Sequence, residues 1–148
     1  MTPAQYCHQE QNFLTQVKFV GVYTVPKVGV QVSGTFQSSP GVQISAIWVV
    51  PNAQVAPALG RSLSASATTF TTNLVNPGTM YGERLNQLDL RFAKIVRLAT
   101  TRTSLNFDLY NALNRSTVLQ QNSAYASWLT PSQILVPRFV KLSATFDF

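Results

Sequence analysis

Charge is what this sequence has least of. Only 11% of its 148 residues are Asp, Glu, Lys or Arg, where a soluble domain carries roughly 25%, so a surface facing water on all sides is not expected. Long apolar runs are missing too. No stretch approaches the ~18 consecutive apolar residues of a membrane-spanning helix, and the mean hydropathy is only +0.07, which excludes a helical membrane protein. Basic clusters are absent, because the 11 Lys and Arg residues behind the formal charge of +6 are scattered singly; no nucleic-acid partner is expected. One cysteine, Cys7, closes no internal disulfide, and it precedes the single histidine, His8. It is read either as an inert thiol or as half of a disulfide to a partner segment. The first eight residues carry neither a basic n-region nor an apolar h-region, so either the chain is cytosolic or its true N-terminus is elsewhere.

Catalytic constellations are lacking as well. No Gly-rich phosphate loop and no His-Glu-x-x-His arrangement occurs, and the carboxylates stand singly. No enzyme, metal site or cofactor is therefore expected.

What is present is alternation with a period of two, bounded by Pro, Gly and Asn, in five places. That is the signature of half-buried antiparallel strands. The first runs from about Phe13 to Val25 and ends at Pro26-Lys27. The second, about Val28 to Gln37, sets Val28, Val30, Val32, Gly34 and Phe36 against Gly29, Gln31, Ser33, Thr35 and Gln37; a helix would mix the two sets. Past Pro40-Gly41 the same parity resumes through Val42, Ile44, Ala46, Trp48 and Val50, so this strand is expected to continue beyond a bend. The stretch from Pro51 to about Thr79 reads as a long loop. The third strand, Gln87 to Leu98, puts Leu88, Leu90, Phe92, Val96 and Leu98 opposite Asp89, Arg91 and Arg97. Lys94 alone breaks the pattern, and its stem can cover apolar surface while its ammonium reaches water. The fourth carries Leu105, Phe107, Leu109 and Leu113 against Ser104, Asn106, Asp108 and Tyr110; the fifth carries Val140, Leu142, Ala144, Phe146 and Phe148 against Lys141, Ser143, Thr145 and Asp147. A second long loop is expected over about 114–137.

Short turns thus alternate with long loops, and the strands approach the ~9–11 residues that cross a bilayer when tilted. The expected fold is all-β: an antiparallel up-and-down meander of about five long strands over 13–148, a segment of a transmembrane β-barrel, after an irregular N-terminal segment over 1–12. Asp89, Arg91 and Asp108 fall on neighbouring strands of the polar face and form a candidate lumenal network. A soluble β-barrel or sandwich binding an apolar ligand, or a surface adhesion-type β protein, would use the same alternation with the wet and dry faces exchanged or without a channel.

The segments Gly82-Glu83-Arg84-Leu85-Asn86-Gln87-Leu88-Asp89-Leu90-Arg91-Phe92-Ala93-Lys94, Asn106-Phe107-Asp108-Leu109-Tyr110-Asn111-Ala112-Leu113-Asn114, Pro137-Arg138-Phe139-Val140-Lys141 and Phe146-Asp147-Phe148 resemble the C-terminal barrel portion of TonB-dependent outer-membrane receptors, in particular the group with a carboxypeptidase-regulatory-like N-terminal domain. The resemblance implies a bacterial outer-membrane location and energised uptake of a scarce ligand through a barrel of about 22 strands stopped by a plug. It also implies the partners: outer-membrane lipid, the rest of the barrel and the plug domain, and a periplasmic energy-coupling protein acting via the plug. Val140, Leu142, Phe146 and Phe148 resemble the signal read by the barrel assembly machinery. Plug and coupling motif are not in these residues, so the chain is expected to be a fragment of such a receptor.

Overall fold

A computed structural model describes residues 13–98 and 101–147. The described chain is all-β and divides into two compact units, residues 41–83 with 118–134 and residues 15–40 with 84–117 and 135–147.

The second unit is a five-stranded antiparallel meander of β1 (Val17–Val25), β2 (Val30–Ser39), β5 (Leu85–Leu98), β6 (Thr101–Tyr110) and β9 (Phe139–Asp147), neighbours in that order. The period-two alternation dictates it, since alternate side chains leave opposite faces of a pleated strand. The register keeps like with like across the sheet. Tyr23, Val32, Phe92, Phe107 and Leu142 form one continuous row, and Gly21, Gly34, Leu90, Leu109 and Val140 another. The opposite face carries Ser33, Arg91, Asp108 and Lys141 in one row and Gln31, Ala93, Asn106 and Ser143 in the next. The apolar face is the exposed one: Leu142 is 75% and Phe19 66% accessible. The single buried apolar side chain in the strands of this sheet among the described residues, Ala93, lies on the polar face.

The first unit holds the long connections and is more ordered than loops read from composition. The continuation of β2 past Pro40-Gly41 is not found. Its residues Ile47–Pro51 form β3, paired with β4 (Thr69–Asn73) in a separate two-stranded sheet. The physical reason lies in the backbone at Gly41 and Gly82. Gly82 N donates to the Val42 carbonyl at 2.8 Å and Ile44 N to the Met80 carbonyl at 2.9 Å, and a Cβ on Gly41 would run into the Gly82 carbonyl. That close approach draws residues 42–46 towards 80–82 and away from a sheet ladder. Between β3 and β4 the Ala-rich segment Asn52–Leu59 forms the helix α1, ended by Gly60 in the left-handed region (φ 66°). The second connection contains the hairpin of β7 (Val118–Gln121) and β8 (Pro131–Ile134).

The two connections are joined within this unit. Ile47 N donates to the Ser123 carbonyl at 2.7 Å, Trp128 Nε1 donates to the Ser45 carbonyl at 3.1 Å, and the Trp48 and Tyr125 rings lie 5.7 Å apart. Ile44, Ala46 and Val50 are buried there, a small core that the five-stranded sheet does not have on its apolar face.

Leu90 and Asp89 are adjacent but face opposite sides, so together they test the expectation that the apolar face meets lipid. In a barrel folded into vesicles, Leu90→Arg is expected to cost about 2–4 kcal/mol, the penalty of a mid-bilayer cation on a lipid-facing strand, and Asp89→Asn less. Denaturant titration in lipid compares the two, and a reversed order would invert the assignment of the faces.

Candidate functional site

The polar face of the sheet carries the one ion pair found among the described residues. Arg91 on β5 and Asp108 on β6 are direct cross-strand neighbours. The guanidinium Nε donates to Asp108 Oδ1 and Nη2 to Oδ2, the latter at 3.0 Å. Asp108 is 2% accessible, while the Arg91 side chain is half exposed. This two-pronged fit gives the pair geometric specificity that a lysine would not supply. With its charge taken up by Arg91 the buried carboxylate is a fixed dipole that ties two strands together, and removing Arg91 would leave an uncompensated buried charge. Lys141 stands opposite Asp108 on the other side, in β9.

Asp89 is not joined to Arg91 by a hydrogen bond. It accepts from Gln87 Nε2 at 3.1 and 2.9 Å and from the backbone N–H of Asn111 at 2.8 Å. Gln87 in turn accepts from Gln37 Nε2 at 2.9 Å, so one polar chain runs Gln37, Gln87, Asp89, Asn111 across three elements. The three acidic and basic residues expected from sequence therefore share a face and line one open cleft of about 260 Å³ with Ser33, Thr35 and Tyr110. They belong to two hydrogen-bonded sets.

Asn111 escaped the sequence reading as a site residue. It is 2% accessible and adopts φ 48° just past the end of β6. Its Nδ2 donates to the carbonyls of Arg115 and Val136, both at 2.8 Å, and its Oδ1 accepts from Arg115 N at 3.0 Å. Asn114, also left-handed at φ 51°, accepts from Arg138 N at 3.2 Å. The two asparagines pin the chain leaving β6 to the chain entering β9. The available signal was the spacing Asn-Ala-Leu-Asn directly after a strand, since Asn tolerates the left-handed region and bonds nearby backbone.

Arg84 was missed in the same way. Its guanidinium donates to Ser38 Oγ at 2.7 Å and to the Thr15 carbonyl, and Ser38 Oγ donates to Asn86 at 2.7 Å. These groups close the apolar face at its long-loop end with a polar row.

Of the four residues proposed as an assembly signal, Val140, Leu142 and Phe146 lie on the apolar face of β9, and all are exposed. Phe148 lies outside the described residues, as do Cys7 and His8. Among the described residues no group of three or more His, Cys, Asp or Glu lies together as a metal site would require, and no helix is long and apolar enough to cross a membrane. No family model, curated protein or solved structure matches the chain.

Asn111→Ala removes three hydrogen bonds from a buried position and leaves two carbonyls and one N–H unpaired. An expected loss of about 2–4 kcal/mol in unfolding free energy follows, against under ~1 kcal/mol for Arg138→Ala, whose contact is made by its backbone. A loss at Asn111 no greater than at Arg138 would remove its role as a strand-to-strand pin.

Proposed function

We propose that the five-stranded sheet is part of the wall of a bacterial outer-membrane β-barrel, its apolar face towards lipid and its polar face towards the lumen, in a TonB-dependent receptor that takes up a scarce ligand. The observation that carries this reading is the inverted burial of the sheet: phenylalanines and leucines outside, Asp108 and Asn111 buried. A soluble sandwich or barrel would cover its apolar face with a second layer or enclose it.

Dimensions support the same reading. The apolar face of β5 begins after Asn86 and runs from Leu88 to Val96, eight residue steps. At ~3.3 Å per residue and a tilt of about 40°, this spans about 20 Å, most of the ~25 Å height of the lipid-facing band of such barrels. Both edges of the sheet, β1 and β9, have one unpaired side among the described residues. Such edges are a liability in water and are removed when further strands complete a barrel. Connections alternate in length, residues 26–29 and 99–100 on one side and residues 40–84 and 111–138 on the other, as short periplasmic turns and long external loops do.

In this reading the two long connections, residues 40–84 and 111–138, are the external loops that meet the ligand, and the Asp89, Arg91 and Asp108 region lines the lumen. The rest of the barrel, a plug domain, the energy-coupling protein that acts on it and the barrel assembly machinery are the partners. Val140, Leu142, Phe146 and Phe148 serve recognition by that machinery.

The protein extracted from outer membranes is expected to migrate faster unheated than boiled in a detergent gel, as a closed barrel does. Recovery in the water-soluble fraction with no heat-dependent shift would favour the soluble alternative.

A further inference from the structure

Lys94 is the single charged residue on the apolar face within the strands, and it borders a groove on that face. The groove, of about 300 Å³, is lined by Val30, Phe92, Lys94, Leu105, Phe107 and Leu142, a size at the lower end of ligand sites. Phe92 and Phe107 sit directly opposite each other with rings tilted by 53° at 6.2 Å. A cation on an otherwise apolar face costs stability unless it meets an anion or reaches water.

The direction of the side chain shows where that anion would lie. Lys94 Nζ donates to the Val28 carbonyl at 2.5 Å, in the turn that joins β1 to β2, so the ammonium points to the short-turn end of the sheet. An ammonium has three N–H donors, and Val28 takes one. More positive charge gathers at this end. Lys27 is in the same turn, whereas Arg97 and Arg102 stand directly opposite each other on the polar face at the ends of β5 and β6. Like charges so placed repel. The one carboxylate among the described residues at this end, Asp147, is opposite Arg102 on that polar face, so it does not answer Lys94.

We infer that this groove binds an anionic phospholipid, one acyl chain lying among Val30, Leu105, Phe107 and Leu142 and the phosphate meeting Lys94. The inference rests on the lipid-facing assignment of this face. It specifies the occupant by charge: an anionic headgroup answers Lys94 and the neighbouring Lys27, whereas a zwitterionic headgroup brings an ammonium of its own to a basic surface.

Native mass spectrometry of the detergent-extracted protein, titrated with phosphatidylglycerol, with phosphatidylcholine of the same acyl chains and with inorganic phosphate, tests it. Phosphatidylglycerol is expected to bind about fivefold more tightly than phosphatidylcholine, with inorganic phosphate failing to compete. Lys94→Gln should abolish the preference and Lys94→Arg keep it, both variants retaining the heat-dependent gel shift that reports a folded barrel. Equal binding of the two lipids, a preference that survives in Lys94→Gln, or full competition by inorganic phosphate would overturn the inference while leaving the barrel intact. Absence of the gel shift in the unaltered protein would overturn the barrel reading and the inference with it.

Discussion

Register is the constraint on which the five-stranded sheet depends. With a side-chain repeat of two, a slip of one residue in a single strand exchanges its two faces. A slip in β6 would set Asn106 and Asp108 among Phe92 and Leu142 and turn Phe107 towards Arg91. The pairings of β6 with β5 and with β9 hold the alignment that avoids this. Phe92 faces Phe107, Arg91 faces Asp108, and Asp108 faces Lys141, so both the apolar and the charged neighbours favour the same alignment of β5, β6 and β9.

The two units satisfy their apolar residues by different physics. In the unit of residues 41–83 and 118–134, Ile44, Ala46 and Val50 leave solvent by packing within the protein. In the sheet the apolar rows stay exposed, and apart from Ala93 the burial falls on polar groups in and just beyond its strands, among them Asp108, held by a two-pronged guanidinium, and Asn111, held by three side-chain hydrogen bonds. Folding of the sheet in water would therefore gain little from apolar burial. The missing contribution has to come from whatever covers the apolar face, which in the proposed reading is lipid.

Much of the sheet was legible in the sequence because its determinants are local. Alternation in 17–25, 30–37 and 87–98 fixes strand and face without reference to the rest of the chain, and the spacing of Arg91 and Asp108 around a short turn places them on adjoining strands. The segment 42–50 misled for the same local reason. Its parity matches β2, but from Ile47 on its partner is Thr69–Asn73, and the turn away is set by the approach of Gly41 to Gly82, 41 positions further along. The helix Asn52–Leu59 was hidden in a stretch whose Ser, Thr, Asn and Pro content reads as loop. Asn111 was invisible as a site because two of its bonds lead to Arg115 and Val136, and the second of these is a pairing that only the folded chain defines.

The central claim, that one face of this sheet meets lipid and the other water, is tested most directly by a nitroxide scan of β5. With Cys7 replaced, single cysteines at each position from 87 to 96 are labelled in the protein inserted into vesicles, and collision with dissolved oxygen is compared with collision with a water-soluble nickel chelate. The oxygen signal should peak at 88, 90, 92 and 96 and the nickel signal at 87, 89, 91 and 95. Alternation of the opposite phase, or nickel access at every position, would contradict the membrane assignment.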